Sequence, residues 1–66
     1  MLQSMSEEAD AAVRYRQHAE ELRAIAQSEG EPKTKDTLLR IAEDYDRMAG
    51  TLDAIDRTNK AMRSPR

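Results

Sequence analysis

Glu29-Gly30-Glu31-Pro32 is the stretch that decides how this chain folds. Glycine ends helices readily because it adopts the left-handed conformation without steric cost, so Gly30 reads as an αL terminator. Proline suits the first turn of a helix, where its missing N–H costs nothing. The four residues therefore read as a short turn between two helices, and a short turn makes neighbouring helices antiparallel.

Upstream, Ser4 and Glu7 form the Ser-x-x-Glu capping pattern, with Ser6 as an alternative cap. Glu7, Glu8 and Asp10 place negative charge where the helix dipole favours it. Downstream, Lys33 and Lys35 oppose that dipole, which argues for a somewhat later start to the second helix. Gly50 sits inside that helix and costs roughly 1 kcal/mol against alanine. The reading is an all-α antiparallel αα-hairpin: a helix over about 5–28, a turn at 29–32 and a helix over about 33–62. Residues 1–62 form one domain, and 63–66 a frayed tail.

The apolar period agrees. In the second helix Leu38, Ile41, Tyr45, Met48, Leu52, Ile55, Asn59 and Met62 recur at spacings of three and four. The first helix shows Met5, Glu8, Ala12, Tyr15, Ala19, Leu22 and Ala26 in the same rhythm, with Ala9, Val13 and Ile25 widening the stripe. This is an a/d seam. Folding at the turn sets Ile25 against Leu38, Leu22 against Ile41, Ala19 against Tyr45, Tyr15 against Met48 or Ala49, and Ala12 against Leu52. Small residues meet large ones, as close packing requires.

Two helices leave one face of such a seam open, and Val13, Ile25, Leu39, Ala42 and Ala49 are expected to line it. A chain of 66 residues without cysteine has neither a large core nor disulfides to stabilise it. A second copy is the simplest cover, giving a two-fold four-helix bundle. The acid-before-base pairs Asp10–Arg14, Asp36–Arg40, Glu43–Arg47, Asp53–Arg57 and Asp56–Lys60 read as a solvated face.

The stretches Tyr15-Arg16, Ala19-Glu20-Glu21-Leu22-Arg23-Ala24-Ile25-Ala26 and Leu38-Leu39-Arg40-Ile41-Ala42-Glu43-Asp44-Tyr45-Asp46-Arg47-Met48-Ala49 resemble an abundant set of short, uncharacterised alphaproteobacterial helical-hairpin proteins. The likeness covers roughly residues 13–49. It implies a bacterial hairpin and brings no activity with it. The architecture is also similar to that of the small hairpin-dimer RNA-binding protein of plasmid copy control, without a shared residue motif.

No constellation commits the chain to a reaction. Serine–histidine–aspartate sets, phosphate-binding glycine loops and metal-ligand spacings are all missing from the sequence. His18 is the only histidine, and its surroundings are not Glu-x-x-His. Glu43, Asp44, Asp46, Asp53 and Asp56 each have an ordinary surface role. Tyr15 and Tyr45 read as core-edge residues. Asn59 is either a buried register-setting residue or exposed beyond the first helix. The expectation is no enzyme, no cofactor and no metal. A net charge of −2 gives no general attraction to nucleic acid or anionic lipid. No run approaches the length of a membrane span, and the acidic N-terminal region lacks a signal-peptide core, so the expected compartment is the cytoplasm.

The expected role is a self-associating or protein-binding module, with a second copy as partner and an unknown protein as the other option. Its core and interface would be Val13, Tyr15, Ala19, Leu22, Ile25, Leu38, Leu39, Ile41, Ala42, Tyr45, Met48, Ala49, Leu52 and Ile55. The alternative is a small nucleic-acid-binding regulator contacting anions through Arg57, Lys60 and Arg63. Against it, cations at a helix C-terminus also answer the helix dipole, and Glu7, Glu8 and Asp10 stand ready to neutralise them.

Overall fold

A computed structural model describes residues 6–63. It is two helices, α1 over Glu7–Ser28 and α2 over Pro32–Arg63, packed against each other. Among the described residues there is no strand. The hairpin expected from the turn is present, and its ends are built by side chains that the sequence only partly marked.

Ser6 is the N-cap of α1. Its hydroxyl accepts from the Ala9 N–H at 3.0 Å, filling a donor that the first turn cannot satisfy internally. Ser4, the first choice for this role, lies outside the described residues. The other end of α1 corrects the αL reading of Gly30. Glu29 leaves the helix with extended backbone, φ −79° and ψ 126°, and its N–H donates back to the Ala26 carbonyl at 3.1 Å. The φ of Gly30 lies outside the left-handed region. The exit is made by Glu29, so the glycine is not sterically required there.

The second helix starts at Pro32 despite Lys33 and Lys35. Glu31 explains this. Its carboxylate accepts from both the Thr34 N–H and the Thr34 hydroxyl, each at 2.9 Å. It thereby caps the helix and supplies the negative charge the dipole favours. Those two hydrogen bonds, the backbone one first, hold the Glu31 carboxyl below its usual pKa. Gly50 is passed without a break, and nothing lies within 4 Å of where its Cβ would be.

The core is the main surprise. The buried apolar residues are all alanines: Ala12, Ala19 and Ala26 on α1, and Ala42 and Ala49 on α2. Each series steps by seven, and Asp56 completes the second one at 7% exposure. Alanine at the contact line lets two backbones approach closely, and larger residues would hold them apart. Large side chains at the next seam position, Tyr15, Leu22, Leu38, Tyr45 and Leu52, are half-buried beside this line.

The α1 seam thus runs as the period predicts. The α2 seam does not: its contact line is Leu38, Ala42, Tyr45, Ala49, Leu52 and Asp56. Ile41, Met48 and Ile55, expected in the seam, are one position off it and stay 40%, 42% and 41% exposed. Ala42 and Ala49, expected on the open face, are instead fully buried. Val13, Ile25 and Leu39 are exposed in the single chain. The physical reason is steric: the rotation of α2 sets Ala42 and Ala49, rather than the bulkier Ile41 and Met48, against α1.

Candidate self-association face

Helical phase gives the hairpin two unlike broad faces. On one side of the alanine line lie Arg16 and Arg23 from α1, and Asp46 and Asp53 from α2. Each couple is seven residues apart, so each lies along a single line. Arg16 reaches Asp53 at 2.7 Å, and both terminal nitrogens of Arg23 reach the same Asp46 oxygen at 3.0 Å. The Asp46 hydrogen bond is the main cause that raises the Arg23 pKa further, with Glu20 adding to it. Leu39, seven residues before Asp46, and Val13, one turn before Arg16, lie along this polar side as isolated exposed apolar residues.

These two cross-helix ion pairs correct the picture of a purely solvated charge layer. Asp53 is taken by Arg16 rather than Arg57, and Arg47 is taken by Asp44 at 2.8 Å rather than by Glu43. Asp10–Arg14 at 3.0 Å and Asp56–Lys60 at 3.3 Å are as expected. The missed signal was the matched seven-residue spacing of 16 and 23 with 46 and 53.

The opposite face is apolar. Tyr15, Leu22, Leu38, Tyr45 and Leu52 run down its middle, with Ile25, Ile41, Met48 and Ile55 along its edges. The tyrosine rings meet edge to face, with centroids 5.5 Å apart and planes at 68°, a favourable quadrupole arrangement. His18 leans on the same Tyr45 ring at 5.4 Å. Its Nδ1 lies 3.4 Å from Glu21. Tyr15, Met48, Thr51 and Leu52 line a shallow groove open to solvent on this face. Met62, near the end of α2, is 78% exposed.

One end of the hairpin is tied by polar groups. The Ser6 hydroxyl donates to the Asp56 carboxylate while accepting from Ala9, so one side chain caps α1 and fastens it to α2. Lys60 approaches the other Asp56 oxygen. The Ser6 hydrogen bond, then Lys60, and the charge of Arg63 together hold the Asp56 carboxyl below its usual pKa, against the opposing effect of burial. The basic segment is therefore partly committed: Lys60 serves a buried carboxylate. Pairing of this segment with Glu7, Glu8 or Asp10 is not seen among the described residues. Asn59 is exposed.

Among the described residues no three histidine, cysteine, aspartate or glutamate side chains gather as metal ligands would. No described helix is long and apolar enough to cross a membrane. No protein-family model matches the chain, and no curated protein or solved structure matches it.

Proposed function

We propose that this chain is a non-enzymatic helical module that self-associates through its apolar face, two hairpins stacking into a four-helix bundle. The observation that carries this is the composition of the core. A hairpin whose buried apolar side chains are all alanines leaves Ile25, Ile41, Met48 and Ile55 40% or more exposed, and Tyr15, Leu22, Leu38, Tyr45 and Leu52 only half-buried. A buried alanine methyl contributes on the order of 0.8 kcal/mol, far less than a leucine or isoleucine. A second layer would bury the larger residues and turn a marginal pair into a bundle. The small–large alternation fits this: alanines set the distance within a hairpin, and the large residues fill the space between hairpins.

The resemblance to alphaproteobacterial hairpin proteins is compatible with this role. A nucleic-acid-binding role for Arg57, Lys60 and Arg63 has less behind it, because Lys60 is engaged by Asp56.

Light scattering on size-exclusion fractions at micromolar concentration tests the proposal. The expected mass is twice that of the chain. Ile41→Asp, placed where the single hairpin already leaves the side chain 40% exposed, should shift the mass towards one chain and weaken folding. A wild-type chain that is well folded and monomeric would overturn the proposal; an equally stable Ile41→Asp dimer would show that this face is not the one used.

A further inference from the structure

Building on the self-association reading above, we infer that the second copy docks with its turn at the opposite end, α1 lying on α1 and α2 on α2. Two face-to-face seatings obey two-fold symmetry. With the turns at one end, each α1 lies on the other copy's α2. With the turns at opposite ends, like helices meet.

The rims of the apolar face decide between them. Along α2 the rim is Ile41, Met48 and Ile55, all apolar. The matching positions on α1 are Ala11, His18 and Ile25, and Arg14 and Glu21 stand just outside them. Turns at one end would press the apolar rim of α2 onto Arg14, His18 and Glu21, stripping water from polar and charged groups without giving them partners on the other copy. Turns at opposite ends set apolar rim on apolar rim and polar rim on polar rim.

Charge then fits the second arrangement in detail. The midpoint of α1 falls between Gln17 and His18. Arg14 and Glu21 are equally far from it, one on each side. An antiparallel crossing of two α1 helices centred there places Arg14 of each copy across from Glu21 of the other. In the single chain both are well exposed, Arg14 on Asp10 at 3.0 Å and Glu21 beside His18 at 3.4 Å, so each has room for a further partner. His18 leans on Tyr45, so the same centre falls near the middle of the Ile41 to Met48 segment. Ile41 of one copy then meets Met48 of the other. Asp44, near that centre on α2, already holds its own Arg47 at 2.8 Å.

The area also suffices. The hairpin is one helix layer thick, with extents of 54 × 24 × 11 Å. The stretch of face backed by α1 is about 33 Å long. Two helices side by side, each about 10 Å across, make that face about 20 Å wide, so it offers about 700 Å² per copy, within the range of a standard stable interface.

Two measurements on the full chain test this. Gly30 tolerates a side chain, since nothing lies within 4 Å of its Cβ position, and the sequence contains no other cysteine. A spin label on Gly30→Cys reports the turn-to-turn distance in the dimer. The expected value is about 40 Å, from the rise of the α1 residues between the centre and each turn. A distance under about 20 Å would overturn the orientation while leaving the dimer intact. In the second measurement, Arg14→Glu and Glu21→Arg should each weaken the homodimer roughly 3- to 10-fold. Mixed together, the two variants should prefer the heterodimer, in which both cross pairs are restored, and R14E/E21R should recover dimerisation. Absence of that preference in a confirmed dimer would also overturn the orientation. A monomeric wild-type chain would overturn the self-association reading beneath it.

Discussion

Ser6 and Asp56 join three tasks at one point: capping α1, closing the far end of the hairpin and anchoring Lys60. Ser6→Ala removes the cap and leaves Asp56 short of a donor, so it should cost about 1–2 kcal/mol in urea unfolding. The same pair sets a pH dependence. Asp56 titrates lower in the folded chain than in the unfolded one. Folded chains therefore bind fewer protons, and the stabilisation is present above the ordinary carboxylate pKa of about 3.9 and is lost as pH falls through the folded value. Urea midpoints measured below about pH 4 should drop more steeply for wild type than for Asp56→Asn; identical acid limbs would remove Asp56 from this role. Gly50 gives the opposite kind of residue effect. With open space around its Cβ position and an exposed helical site, Gly50→Ala should stabilise by about 1 kcal/mol, seen as a higher thermal midpoint.

The two helices differ in how openly their sequences declare the contact line. In α1, Ala12, Tyr15, Ala19, Leu22 and Ala26 form one apolar stripe, and the structure uses it. In α2 two stripes share Leu38, Tyr45 and Leu52 and part at the intervening positions: Ile41, Met48 and Ile55 against Ala42, Ala49 and Asp56. Weighting by hydrophobicity selects the first set. Close approach of two backbones selects the second, and an aspartate in its last place disguised it further. What the period cannot express is the distance between helices, which depends on which residues are smallest. The cross-helix arginine–aspartate pairs were hidden for a related reason, since their partners follow only from the true rotation of α2. The alanine line makes a sharp prediction. Ala19→Leu or Ala49→Leu, each adding hydrophobic bulk, should destabilise by about 1–3 kcal/mol because the backbones must part. By contrast the Arg23–Asp46 coupling, on side chains 36% and 44% exposed, should reach no more than about 1 kcal/mol in a double-mutant cycle.

At the scale of the whole molecule, self-association through the apolar face, as proposed, would link stability to concentration. A hairpin whose internal core is alanine methyls gains most from burying Leu22, Leu38, Ile41, Tyr45, Met48 and Leu52 in a second layer. In the proposed bundle, folding and assembly are one equilibrium, and mass action enters the unfolding midpoint. For two chains of this length unfolding together, the entropy of unfolding places the shift at about 5 °C for each tenfold dilution. Circular dichroism melts from about 1 to 100 μM, chosen to span micromolar assembly, should therefore move together with the mass found by light scattering. Ile41→Asp should flatten that dependence, because the substituted face no longer contributes to it. A wild-type midpoint indifferent to dilution, with the mass of a single chain throughout, would mean that the alanine seam suffices alone and that the apolar face serves a different partner.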